Sequence, residues 1–337
     1  MMKRFKFGLM TAAFLAASVT AGSAEAKKHI LGVFYEGCEK TCEGFKAAIA
    51  ESGFPAEVEV LDLEQDKTRI ADAVKRARET KTDLVLVYGT TATLGVIGTL
   101  ETAGDPRFLS DVPVVFTAVA DPFGAKIAES FERSGRANIT GTFNRVPEKI
   151  NINVIRQYDP KFRKLGLLYH ANEKNSVLKM KELSELAPKL GIELVAIEVD
   201  PGNGEVPKPE LIPQRLRELH EKGVEWVYLG SSSFLNVNGE LFTASAVENG
   251  IAVVSPYPAL VKEHKALLSV AAPREEVGRL AADQALRILR DGVKPGNIPI
   301  TVATHFTYTV NMEVAKTLNR NPPASFKNDT EFYRPAQ

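Results

Sequence analysis

The run from Val112 to Gly124, Val-Pro-Val-Val-Phe-Thr-Ala-Val-Ala-Asp-Pro-Phe-Gly, begins as an apolar, β-branched strand and stops at an acid. It shows no polar alternation, so both faces of this strand must be covered, which is the signature of a parallel sheet flanked by helices. Open sheets of that kind place ligand contacts at the carboxyl ends of their strands. Asp121 is therefore a candidate ligand contact. It is equally suited to cap a helix starting at Pro122, and both readings stand at this level.

The amino terminus points to export. Lys3, Arg4 and Lys6 precede an uncharged, mostly apolar stretch over residues 9–21, and Ala24-Glu25-Ala26 offers a cleavage site. Residues 1–26 are expected to be a signal peptide, with a periplasmic mature chain. Removing them leaves 39 basic against 41 acidic residues, a near-neutral balance with no footprint for nucleic acid. The mature chain, roughly 310 residues, exceeds what one core usually organises, so two lobes are expected.

The two cysteines, Cys38 and Cys42, are expected to form a disulfide in an oxidising compartment. Redox chemistry is the alternative, but C-x-x-x-C lacks the C-x-x-C spacing. No His or second Cys pair stands nearby at metal-ligand spacing, and no metal or other cofactor is expected.

Strands and helices alternate twice. Strands are expected at residues 29–35, 57–63, 83–88 and 112–120, with helices at 41–52, 66–80 and 124–133. A second series has strands at 164–169, 193–199, 225–229, 251–255 and 267–271, with helices at 147–158, 175–190, 213–222, 241–249 and 259–264. A long helix at 275–290 and an extended stretch at 298–310 follow. The fold class is α/β, with two doubly wound parallel-sheet lobes and a ligand cleft between them.

Gly89-Thr90, Val114-Val-Phe-Thr117 with Asp121-Pro122, Asn138-Ile-Thr-Gly141, Leu168-Tyr169 with Asn175-Ser176, Lys294-Pro295 with Ile298-Pro299, and Asn311 with Ala315-Lys316 occur in one order. On these landmarks the chain resembles the periplasmic substrate-binding proteins of ABC importers, in the group that includes tryptophan and aromatic amino acid binders. The resemblance covers nearly the whole mature chain. It implies the type I periplasmic binding protein fold, with three crossovers near residues 140–143, 270–272 and 303–305. One lobe would hold residues 27–142 plus 272–303 and the other 143–271 plus 304–320, leaving 321–337 as a tail.

The candidate site residues follow from strand ends and from this resemblance. Gly89, Thr90 and Thr91 open a helix whose first N–H groups suit a carboxylate, although one of the threonines serves equally well as a helix cap. Asn175 and Ser176 match the resembling proteins and can contact ligand or cap a helix. His170 stands where those proteins usually carry Asn. Ser231 and Ser232 belong to a run, Ser231-Ser-Ser233, and the resembling proteins usually carry an Asp-Asn-Thr-like sequence aligning with Ser232, Ser233 and Phe234. Serines supply no charge for an ammonium group, so this departure weakens the case for a free amino acid. Tyr35, Phe143, Tyr169 and Tyr257, with Phe234, are placed to wall a flat ligand or to pack in the core.

The function expected is capture of a carboxylate-bearing small molecule with an apolar or aromatic body, by a monomer, for delivery to an ABC-importer permease. A ligand-sensing partner of a membrane receptor is the alternative. G-x-S-x-G, H-E-x-x-H, P-loop and G-x-G-x-x-G signals are missing, and no catalysis is expected.

Overall fold

A computed structural model describes Met2 and residues 26–35, 37–202, 206–230 and 232–335. The expected signal peptide thus lies outside the described residues, apart from Met2 and Ala26. The first series is β1 (Lys28–Phe34), α1 (Lys40–Glu51), β2 (Ala56–Asp62), α2 (Ile70–Glu79), β3 (Leu84–Tyr88), α3 (Thr90–Ile97), β4 (Val114–Thr117) and β5 (Ile139–Phe143). The second is α4 (Glu148–Tyr158), β6 (Lys164–Tyr169), α5 (Lys174–Leu186), β7 (Glu193–Glu198), α6 (Leu211–Glu221), β8 (Trp226–Tyr228), α7 (Ser233–Val237), α8 (Gly239–Glu248), β9 (Ala252–Ser255), α9 (Pro258–Lys262) and β10 (Leu268–Ala271). The chain closes with α10 (Arg274–Leu289), β11 (Thr301–Val302), β12 (Thr307–Asn311), α11 (Met312–Thr317) and β13 (Thr330–Tyr333).

Two sheets result. One has the order β11-β5-β4-β3-β1-β2 and is parallel throughout. The other, β13-β12-β10-β9-β8-β6-β7, is parallel except where β12 runs against β10. Each sheet lies between two apolar layers because successive strand side chains alternate sides. In β3, Leu84 and Leu86 enter the layer holding Phe45 and Ala281, whereas Val85 and Val87 enter the layer holding Val96 and Ile97. In β8, Trp226 and Tyr228 share one layer and Val227 enters the other. The unbroken apolar runs of the sequence are these doubly covered strands.

The chain passes between the sheets three times, after β5, between β10 and α10, and between β11 and β12. These passages are tied side by side: Ala303 N–H donates to Phe143 O at 2.8 Å, and the Thr307 hydroxyl donates to Ala271 O at 3.3 Å. The return of α10 to the first sheet depends on two glycines. A Cβ on Gly278 would sit 2.0 Å from Thr41 O, and one on Gly44 would sit 2.2 Å from Glu275 O. Only with hydrogen at both positions do α1 and α10 approach this closely.

Two expectations are corrected. Residues 124–133 form turns and bends, not a helix. Lys126 takes φ of 57°, the left-handed region, which a right-handed helix cannot continue through. The stretch read as a tail, residues 321–337, contains β13, which pairs in parallel with β12. Its anchor is Phe326, buried, stacked on Tyr308 with centroids 5.1 Å apart and edge-on to Tyr158. Its few apolar side chains, Phe326, Phe332 and Tyr333 among them, stand among polar residues with no alternation to read.

Candidate functional site

In each sheet the strand order reverses direction at one point, between β1 and β3 in the first and between β6 and β8 in the second. Adjacent connections leave in opposite directions there and open a crevice at the carboxyl ends of the strands. The sequence candidates gather along these edges. Tyr35, Gly89, Thr90, Thr91, Asp121 and Phe143 follow β1, β3, β4 and β5, while Tyr169, His170, Asn175, Ser176, Ser232 and Tyr257 follow β6, β8 and β9. Ser231 lies outside the described residues. Across the gap between the two edges, Lys174 Nζ donates to Gly124 O at 3.1 Å.

On the first edge, Gly89 takes φ of 89° and turns the chain sharply from β3 into α3. Gly89 has no side chain to cap α3, so the helix opens without a side-chain cap, its amide groups directed at the crevice. The Thr90 hydroxyl accepts from Ala120 N–H at 3.3 Å, tying this turn to the exit of β4. Thr91 is partly buried in the first turn of α3. Asp121 Oδ1 accepts from Gly124 N–H at 2.8 Å, so its carboxylate closes a turn where the sequence suggested a helix cap. Phe143 stacks on Phe123 and meets Phe131 edge-on, with centroids 6.5 and 5.3 Å apart. Tyr35 donates its hydroxyl to Gln65 O at 2.7 Å. The expected disulfide is present between Cys38 and Cys42, with Cα atoms 5.1 Å apart, at the entry to α1.

On the second edge, His170 is buried; its N–H donates to the Ser176 hydroxyl at 2.9 Å and its ring meets Phe234 edge-on at 5.9 Å. Ser176 is buried by this contact, whereas Asn175 is exposed. Burial, with Glu198 beside it as a hydrogen-bond partner, pushes the Tyr169 hydroxyl above its ordinary pKa. Tyr257 opens α9 and packs against the apolar layer containing Leu260. Ser232 caps α7, accepting from Leu235 N–H at 3.2 Å.

A residue absent from the sequence candidates stands beside it. Glu173 accepts from the Ser232 hydroxyl at 2.6 Å through Oε2 and from Ser233 N–H through Oε1. Glu173 lies between two candidates in sequence, in Asn172-Glu-Lys-Asn-Ser176, and only the β6–β8 adjacency reveals what it touches.

Deeper in the same lobe lies a charge cluster. Lys179 bonds to Glu148 and Glu182, and Arg145 pairs with both acids. The Glu148 and Lys179 side chains are 1% and 3% exposed, so the pairing is nearly dry. Burial opposes ionisation of Glu182, but Lys179 and Arg145 outweigh it and hold the carboxyl below its ordinary pKa. Burial, then Glu148, keeps Tyr228 protonated well above the usual phenol range. Arg145 follows β5, so the cluster anchors the first passage between sheets.

Two surface hollows, of about 560 and 740 Å³, lie elsewhere. The first is on α2 and α3, around Ile70, Val74 and Phe108; the second lies along β7. In the second, Lys164 pairs with Glu193, and Arg215 with Glu218, so its charges are already matched. The strand-end edges, with an uncapped helix on one side and a carboxylate on the other, are the better-equipped ligand surface. Among the described residues no group of three or more His, Cys, Asp or Glu converges to hold a metal, and no helix is long and apolar enough to cross a membrane.

Residues 32–323 match the model of the family described as ABC transporter substrate binding protein. A tyrosine-binding protein of Clostridioides difficile (strain R20291) is 21% identical over 285 residues, covering 83% of this chain and 77% of that protein. A ligand-free, open substrate-binding protein with adhesive properties from Clostridium difficile superposes with a TM-score of 0.78, at 21% identity, over 92% of this chain and 99% of the other. An ABC domain in complex with L-Trp from Streptococcus pneumonia gives 0.69 at 20% identity, over 91% and 100%.

Proposed function

Since this chain belongs to the family of ABC transporter substrate-binding proteins, we propose that it captures a small organic ligand between the carboxyl edges of its two sheets and delivers it to an ABC-importer permease. The ligand carries a carboxylate and an apolar or aromatic body. The observation that carries this reading is the pair of strand-order reversals, each lined by the sequence candidates and brought together at Lys174 and Gly124. The uncapped start of α3 at Thr90 suits the carboxylate, and the Phe123, Phe131 and Phe143 cluster suits the body.

The work of such a site is binding and release. Closure about the three tied passages encloses the ligand, and the closed form is what a permease recognises. Export by residues 1–26 places this in the periplasm, where the Cys38–Cys42 disulfide persists. The relatives named for tyrosine or solved with L-Trp put aromatic amino acids first among candidates.

A thermal-shift screen of aromatic and aliphatic carboxylates and amino acids tests the proposal. A true ligand at a hundredfold its Kd adds about 2.7 kcal/mol to stability. Stabilisation by at least one member of this panel is expected; stabilisation only by sugars, polyanions or metal ions contradicts it.

A further inference from the structure

We propose that Glu173 is the counter-charge for a cationic group on the ligand, which makes the ligand an amino acid and not a simple carboxylate. The inference rests on the interlobe reading of the site and names the residue that sets its specificity.

Glu173 lies at the β6–β8 reversal, the point in the second sheet where the topology opens a crevice. The next residue, Lys174, reaches Gly124 of the first lobe, so this loop faces across the gap between the sheets. The carboxylate is held from both sides: Ser232 donates to Oε2 and Ser233 N–H to Oε1. Such bonding fixes the direction of the charge without neutralising it.

The side chain of Glu173 is 17% exposed, yet among the described residues it pairs with no Lys or Arg. Among the described residues the basic side chain in ion-pair range is His170, whose Nδ1 lies 3.8 Å from Oε2, beyond hydrogen-bond length and charged only when the imidazole is protonated. Glu148 and Glu182 of the same lobe are treated differently, each meeting Lys179 and Arg145. A mostly buried carboxylate is costly unless a cation meets it. Lys174, the cation nearest in sequence, is directed to a carbonyl of the other lobe instead. An ammonium group on the ligand supplies a full positive charge that neither a Lys nor an Arg of the described residues brings to Glu173.

This also resolves the Ser231-Ser-Ser233 departure. Ser232 and Ser233 carry no charge but orient one that comes from the neighbouring loop. The acid occupies the start of α7 and closes that end to an anion. The ligand carboxylate is then left to the first lobe, and the ammonium faces the second.

Calorimetry on the mature chain with matched pairs tests this: L-phenylalanine against 3-phenylpropionate, L-tyrosine against 3-(4-hydroxyphenyl)propionate, and L-leucine against 4-methylpentanoate. The wild type is expected to prefer at least one amino acid over its deaminated partner by tenfold or more. Glu173→Gln, which keeps the shape and removes the charge, is expected to abolish that preference by weakening the amino acid and sparing the acid. Ser232→Ala removes one orienting bond together with the α7 cap and is expected to give a smaller loss of preference in the same direction, read as the affinity ratio within each pair, which decides the matter if Glu173→Gln melts early. Equal wild-type affinity for both members of every pair, or an unchanged preference in Glu173→Gln, overturns the role of Glu173 while the cleft reading stands. Failure of all six compounds to bind overturns both.

Discussion

Asp121 Oδ1 accepts from the N–H of Gly124 at 2.8 Å, and the carbonyl of Gly124 in turn receives Lys174 from the other lobe. The acid that follows β4 therefore shapes the turn that Lys174 of the other lobe reaches. A Cβ on Gly124 would lie 2.1 Å from Asp121 Oδ2, so a larger residue there would displace the carboxylate that closes the turn.

Asp121→Ala removes the acceptor and is expected to cost about 1 kcal/mol of stability, the scale of a lost cap. Asp121→Asn keeps an oxygen in place and is expected to restore most of it. Urea unfolding of the two variants against wild type measures both; equal stability of all three contradicts the assigned turn.

Lys179→Met leaves Glu148 buried without its closest cation. Stranding one member of a buried pair costs about 3–5 kcal/mol, and both side chains here are nearly fully buried. Adding Glu148→Gln to this variant is expected to recover part of the loss. A single-variant cost below about 1 kcal/mol, the ceiling for exposed pairs, contradicts the dry pairing.

His305, in the passage between β11 and β12, bonds to Glu276 at 2.9 Å and lies 3.2 Å from Asp329. The Glu276 hydrogen bond, then that to Asp329, raises its pKa above the ordinary histidine value. Stability from this group is therefore fully present below the unfolded value, about 6.5, and fades as pH rises through the higher folded value. The imidazole is exposed enough for solvent to screen the effect, so a modest loss is expected. Melting curves of wild type and His305→Gln between pH 5 and 9 should converge as pH rises; parallel curves contradict the linkage.

Opening the Cys38–Cys42 bridge frees a very short loop, for which chain-entropy arithmetic gives about 2 kcal/mol. Cys38→Ala with Cys42→Ala is expected to unfold at lower urea by no more than that, with the fold retained. Collapse of the native circular dichroism spectrum contradicts a local role for this bridge.

Much of the architecture was readable because strands covered on both faces leave unbroken apolar runs, as at Leu84–Tyr88. The sharp turn at Gly89 was readable because turn chemistry is local, whereas Asp121 closes a turn and not the helix its sequence suggested. Three features were not readable. The backbone at Lys126 leaves the right-handed helical region in a segment whose composition suits a helix, and β13 lies in a mostly polar segment where Phe326 is buried. Glu173 gained its partners only when β6 and β8 became neighbours across 59 residues of chain, a pairing that no local pattern encodes.

The central claim is that one ligand engages both lobes at the strand ends. Hydrogen–deuterium exchange of the full mature chain, with and without the amino acid that stabilises it most, tests this directly. The account predicts slowed exchange together at residues 89–92 of the first lobe and 170–176 of the second, with little change on α2 around Val74. Protection confined to one lobe, or centred on the hollow between α2 and α3, would contradict it.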